Sequence, residues 1–128
     1  MMRGSCLCGA VVFSSDAALR PVIACHCGQC RKTSGHFWAA TSVPTASLCF
    51  ERDEGLAWFQ SSAGARRGFC KACGSSLFWE PTGGDTTSIG AGTIDGETGV
   101  KVECHWYVAD KGDYYDVTDG LPQFARES

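Results

Sequence analysis

Seven of the nine cysteines in this chain stand in three short knuckles, and their spacing constrains the fold more than any other feature. The first knuckle is Cys6-Leu7-Cys8-Gly9, the second Cys25-His26-Cys27-Gly28-Gln29-Cys30, and the third Cys70-Lys71-Ala72-Cys73-Gly74. Cysteines one or two residues apart can aim two sulfurs at one ion from a tight turn. A glycine behind them permits the backbone that such a turn needs. In a small secreted chain the same count would read as a disulfide framework. Here the count is odd, and the start, Met1-Met2-Arg3-Gly4-Ser5-Cys6, shows no apolar stretch of the signal-peptide kind. Clustered thiols in a reducing cytosol point to metal ligands, with Zn2+ the ion that suits them best.

The remaining composition narrows the class. With 44% apolar and 20% charged residues over 128 positions, the chain is expected to form one globular domain spanning 1–128. A formal net charge of −3 and a pI near 5.5 offer no basic stripe for nucleic acid. No run approaches the roughly 18 apolar residues of a membrane span. A cytoplasmic location, with no membrane and no nucleic-acid partner, is therefore expected.

Sixteen glycines punctuate short runs rich in β-branched and aromatic residues, at 10–13, 21–25, 37–43, 47–52, 56–60, 76–80, 87–91 and 102–108. Short strands between Gly, Asp and Ser turns predict a mainly β chain. Only one short helix is predicted, a turn or two over 28–34, directly after the second knuckle. The stretch 110–124 reads as a loop-rich tail pinned by Tyr114, Tyr115, Leu121 and Phe124.

Spacing alone leaves the pairing of the knuckles open. Paired CxxC halves of a compact zinc site lie about 15–20 residues apart, much closer than Cys30 and Cys70. One arrangement joins Cys6 and Cys8 to Cys70 and Cys73. It leaves Cys25, Cys27 and Cys30 as three thiolates with the fourth metal position open, the mark of a catalytic rather than a structural zinc. The bland alternative is a second structural zinc, closed by His26, His36, His105 or a spare cysteine. A redox disulfide between Cys27 and Cys30 is a further alternative.

In the order Gly4-Ser5-Cys6-Leu7-Cys8-Gly9, Cys25-His26-Cys27-Gly28-Gln29-Cys30-Arg31-Lys32-Thr33-Ser34-Gly35, Arg66-Arg67-Gly68-Phe69-Cys70-Lys71-Ala72-Cys73-Gly74-Ser75, His105-Trp106-Tyr107 and Asp119-Gly120-Leu121-Pro122-Gln123-Phe124, the sequence resembles the glutathione-dependent formaldehyde-activating enzymes, a family that includes the centromere protein V-like proteins. The resemblance runs over nearly the whole chain. It implies an Mss4-like fold of β-sheets organised around zinc–cysteine knuckles. It further implies that Cys6, Cys8, Cys70 and Cys73 hold a structural zinc, and that Cys25, Cys27 and Cys30 hold a catalytic one. The reaction it implies joins formaldehyde to glutathione as S-hydroxymethylglutathione, the work of a carbon–sulfur lyase on a small thiol or thiol adduct. A non-catalytic zinc module that binds a protein or small ligand is the competing reading. Zinc-containing methionine sulfoxide reductases fit less well, because the first knuckle here is CxC and the second holds three sulfurs.

Three thiolates around one zinc carry a net negative charge. Arg31, Lys32, Arg66 and Arg67 are therefore candidate anchors for an anionic substrate, against a plain reading of each as solvated surface charge. Cys49 and Cys104 read as small buried hydrophobes, and His26 as a residue pointing away from the metal to hold a hydrogen bond. His36 and His105 read as hydrogen-bonded residues at the core's edge. Trp38, Trp58, Trp79 and Trp106 are expected mainly in the core, with one or two walling a pocket. Asp116, Asp119 and Glu80 suggest no acid–base couple.

Overall fold

The structure, a computed structural model describing residues 1–127, is built from two sheets. The smaller has three strands in the order β1-β2-β5: β1 (Met2–Ser5), β2 (Val12–Ser15) and β5 (Cys49–Arg52). The larger has seven, in the order β10-β3-β4-β9-β8-β7-β6. These are β3 (Val22–Cys25), β4 (Trp38–Pro44), β6 (Leu56–Ser62), β7 (Ala65–Cys70), β8 (Ser76–Pro81), β9 (Thr86–Gly90) and β10 (Val102–Trp106). All neighbours are antiparallel except β10 and β3, which run parallel. Among the described residues one α-helix forms, α1 (Gly28–Ser34), following the second knuckle where the sequence predicted it. Among the described residues, no helix is long and apolar enough to cross a membrane.

The eight predicted runs all contain strands, with ends shifted by a residue or two. The run at 10–13 begins late because Val11 belongs to the first knuckle. Its carbonyl accepts from the Cys6 amide at 3.0 Å, and its own amide donates to Cys6 Sγ at 3.3 Å. The run at 102–108 stops at Trp106 because Tyr107 turns into the left-handed region at φ 58°. Two strands escaped prediction. β1 is short and polar, and β7 carries Arg66, Arg67 and Gly68, residues with little strand preference. Pairing with β6 and β8 on its two sides makes β7 a strand regardless.

The core fills the space between the sheets. Val11, Phe13, Val43, Leu77, Phe78, Ile89 and Ile94 form it, and Cys6 and Cys70 are part of the same cluster. Phe13 from the small sheet meets Phe78 from the large one edge-on, with centroids 4.9 Å apart. Because strand side chains alternate, the other face of the large sheet points away from this core. There, small residues such as Ala40, Ser42 and Ser88 form the floor of a groove.

Of the four tryptophans expected mainly inside, only Trp58 packs against the core, half-buried, while Trp38, Trp79 and Trp106 wall the groove. Cys49 also departs from its expected burial. It lies exposed on β5, the edge strand of the small sheet, whereas Cys104 is buried as expected. The tail is a loop, and it joins β10 through backbone bonds. The His105 amide donates to the Pro122 carbonyl and the Phe124 amide to the His105 carbonyl, both at 2.9 Å.

Gly68 explains how an arginine-rich strand meets the core. It sits in register between Trp58 on β6 and Phe78 on β8. The two rings stack across it with centroids 6.1 Å apart, and a Cβ there would lie 3.0 Å from each ring. Gly68→Ala is expected to lower stability by about 1–3 kcal/mol through overpacking. Urea denaturation checks this, and an unchanged midpoint would show that the aromatic row has room to spare.

Candidate metal centre

The first and third knuckles meet across the gap between the two sheets. The Gly9 and Gly74 backbones take φ +83° and +80°, the left-handed turns that a glycine behind each pair allows. Cys6 Sγ lies 3.7 Å from Cys8 Sγ, and Cys8 Sγ 3.7 Å from Cys70 Sγ. All four sulfurs of Cys6, Cys8, Cys70 and Cys73 lie within 4.8 Å of one another. Sulfurs around a tetrahedral zinc with bonds of about 2.3 Å stand about 3.8 Å apart, so the set fits the ion. The Ser75 hydroxyl and amide beside Cys73 hold its pKa down to about 5, toward the thiolate a metal takes.

The second knuckle lies at the end of β3 and the start of α1. Cys25, Cys27 and Cys30 also gather their sulfurs within 4.8 Å, and no fourth His, Cys, Asp or Glu joins them among the described residues. Cys27 caps α1, its sulfur accepting from the Cys30 amide at 3.4 Å. A helix N-terminus favours a thiolate in that place. Hydrogen bonds from Cys25 and Cys30 lower the Cys27 pKa to about 2, and the same contact with Cys27 pushes Cys25 upward. One thiolate is thus stabilised by two thiol neighbours, the pattern of a donor set that would release protons on taking a cation.

The residues offered as alternative fourth ligands are otherwise engaged. His26 stands between two of the cysteines but turns away from them, fully buried. Its two ring nitrogens meet the Tyr115 hydroxyl and His105 Nδ1. Burial, then the neighbouring His105, lowers its pKa to about 4, so it is neutral at pH 7. His36 Nδ1 meets the Tyr114 hydroxyl at 2.6 Å. His105 Nε2 meets Asp119 Oδ2 at 2.7 Å. That last pair was not legible in the sequence, because its members lie 14 positions apart and only the return of the tail along β10 joins them.

The triplet opens onto the groove, a cavity of about 590 Å³ across the outer face of the large sheet. Of the four cations offered as anchors, only Arg67 lines it. Its Nη2 lies 3.6 Å from Cys30 Sγ, and its Nε donates to Gln29 Oε1 at 3.2 Å. Arg66, one position along the strand, points to the opposite side. There it pairs with Glu80 at 2.8 Å and lies over the Trp58 ring at 3.8 Å. Arg31 donates to the Asp110 carbonyl at 3.1 Å, and Lys32 is exposed on α1. Arg20, which the sequence reading passed over, lies at the end of β3 remote from Cys25 and lines the same cavity. Its Nη2 donates to the Ala40 carbonyl at 2.9 Å, and burial lowers its pKa. A guanidinium that close to an Ala-Ser strand carries no motif that spacing could reveal.

The profile of a family described as "Glutathione-dependent formaldehyde-activating enzyme" matches residues 1–110. An uncharacterized lyase of Schizosaccharomyces pombe is 30% identical over 124 residues, which is 95% of this chain and 89% of that one. A crystal structure of a Rhodobacter sphaeroides protein shares the fold at 20% identity. Its TM-score is 0.62, over 96% of this chain and 99% of that one.

The two sulfur sets make separable demands. Cys70 is fully buried within the core cluster, whereas Cys27 borders the groove. Cys70→Ser is expected to cost the fold about 2–3 kcal/mol or more, by losing the metal contribution and burying a hydroxyl. Cys27→Ser is expected to cost less than about 1 kcal/mol, since serine is itself a good helix cap. Anaerobic denaturation of both variants measures this, and equal losses would contradict the division.

Proposed function

This chain belongs to the glutathione-dependent formaldehyde-activating enzyme family, and on that premise we propose that it is a zinc-dependent carbon–sulfur lyase acting on a small, anionic thiol adduct such as S-hydroxymethylglutathione. The observation that carries the reading is the triplet: three sulfurs within 4.8 Å, no fourth protein ligand among the described residues, and an adjoining groove. In this reading Cys6, Cys8, Cys70 and Cys73 hold a structural zinc. Cys25, Cys27 and Cys30 would hold a second zinc beside the groove.

A zinc ion bound there would supply a cation that lowers the pKa of a substrate thiol and polarises a carbonyl oxygen. The bond changes are simple and need no oxidant. In the cleavage direction the adduct's hydroxyl gives up its proton, its C–O bond becomes a carbonyl, and the C–S bond breaks. The sulfur leaves with the electron pair and takes up a proton. The reverse joins the thiol to formaldehyde.

The chain's own residues would bind and orient the substrate. Arg67 faces Cys30 Sγ and offsets the negative charge of three thiolates beside an incoming anion. Arg20 precedes β3, and its guanidinium reaches the Ala40 carbonyl, two positions along β4 from the Trp38 that pairs with Cys25. The two guanidiniums both line the groove and suit a ligand with more than one carboxylate. Ser42 and Ser88, neighbours in register on β4 and β9, contribute hydroxyls to the floor. Trp38, Trp79 and Trp106 would cover apolar parts of the ligand and exclude water. Tyr107, held in a left-handed conformation that costs about 1–2 kcal/mol, adds its side chain to the same wall.

Steady-state kinetics of S-hydroxymethylglutathione cleavage test the assignment. Arg20→Gln is expected to raise KM about tenfold, the loss of one charge-assisted hydrogen bond, with kcat within a factor of two. Cys27→Ser is expected to abolish turnover. A wild-type chain that binds zinc at the triplet yet processes no thiol–aldehyde adduct would favour the binding-module reading instead.

A further inference from the structure

A hydrogen-bonded chain of four side chains runs behind the second knuckle, on the side away from the groove. Tyr115 and Asp119 come from the tail, His105 from β10, and His26 from between two cysteines of the triplet. The Tyr115 hydroxyl meets His26 Nδ1, His26 Nε2 lies 2.9 Å from His105 Nδ1, and His105 Nε2 lies 2.7 Å from Asp119 Oδ2. Both imidazoles are buried. The second carboxylate oxygen of Asp119 accepts from the Leu121 amide at 3.0 Å.

The carboxylate end dictates the direction of every bond. Asp119 can only accept, so His105 carries its proton on Nε2 and leaves Nδ1 as an acceptor. His26 then carries its proton on Nε2, and its Nδ1 accepts from the Tyr115 hydroxyl. With both imidazoles neutral, this one arrangement satisfies all four groups. The His26 amide, donating to the Trp106 carbonyl at 2.9 Å, adds a fifth restraint.

We propose that this relay positions the second knuckle, fixing the His26 ring so that Cys25 and Cys27 hold their sulfurs toward the groove at metal-binding distance. The reasoning rests on strand geometry. Successive side chains of extended backbone point to opposite faces, so a ring pinned at both nitrogens behind the strand leaves the peptide planes on either side little freedom to rotate. Cys25 pairs in register with Trp38 and Trp106, both groove residues, which confirms its outward face. Tyr115 and Asp119 are thus positioning residues that act through His26, and the tail is part of the centre's framework. The proposal rests on the triplet holding a metal.

Asp119→Asn probes the relay without removing a heavy atom. An asparagine side chain has one acceptor oxygen where the carboxylate has two. Its oxygen satisfies the fixed Leu121 amide, so its NH2 faces His105 Nε2, which must now accept. His105 and His26 both move their protons to Nδ1, and Tyr115 must accept in turn. Long-range 1H–15N NMR of the imidazoles is expected to show both rings as Nε2–H in the wild type and Nδ1–H in Asp119→Asn. Tyr115→Phe breaks the relay instead, deleting the hydroxyl that holds His26 Nδ1.

Cobalt(II) spectra read the consequence, with Cys27→Ser giving the signal of the four-cysteine cluster alone. Cobalt is expected to leave the triplet about tenfold faster in Tyr115→Phe, which leaves His26 Nδ1 without its partner. In Asp119→Asn, which keeps both ring nitrogens bonded, release is expected within about twofold of wild type. The four-cysteine signal is unchanged in both. Triplet bands and release rates within about twofold of wild type in Tyr115→Phe, or rings that keep Nε2–H in Asp119→Asn, would overturn the relay while leaving the metal reading intact. A wild-type chain that takes up cobalt only at the four-cysteine cluster would overturn both.

Discussion

The convergence of Cys6, Cys8, Cys70 and Cys73 is the constraint on which the rest of the structure depends. The large sheet buries only one face, because its other face is the groove, and the small sheet that covers the buried face has just three strands. A core of that shape, for a chain of 128 residues, contains limited apolar area. The four sulfurs join the turn after β1 to the turn between β7 and β8, and two of them belong to the apolar core itself. A metal at that junction would tie the two sheets together.

With the sheets held in that way, the second set of sulfurs is free to face outward. Cys25 ends β3 and Cys27 caps α1, so strand and helix geometry, rather than a closed knuckle, set their directions. The histidines that would close a fourth position are drawn into bonds on the far side of the strand or toward the tail. The arrangement therefore separates the two tasks that clustered cysteines can perform. One set is anchored in the core through Cys6 and Cys70, and the other shares an open groove with two guanidiniums and three tryptophans.

Much of this was legible in the sequence, for physical reasons that can be named. Tight CxC and CxxC spacings can hardly avoid bringing sulfurs together, and the short runs rich in β-branched and aromatic residues reported eight strands. The short helix over 28–34, expected directly after the second knuckle, is where the structure has it. What escaped reading depended on distant partners. β7 became a strand because β6 and β8 flank it, against the preference of Arg66, Arg67 and Gly68. The tryptophans left the core because the large sheet has an uncovered face, which no local pattern announces. Cys49 became exposed by falling on an edge strand. Asp119 and His105 met only through the fold of the tail.

Zinc K-edge X-ray absorption on the anaerobically purified chain tests the central claim most directly. The account predicts two zinc ions per chain sharing seven sulfurs, with bonds near 2.3 Å and one lighter oxygen or nitrogen ligand between them. One zinc with four sulfurs, or two zincs each bound by four protein ligands, would contradict it.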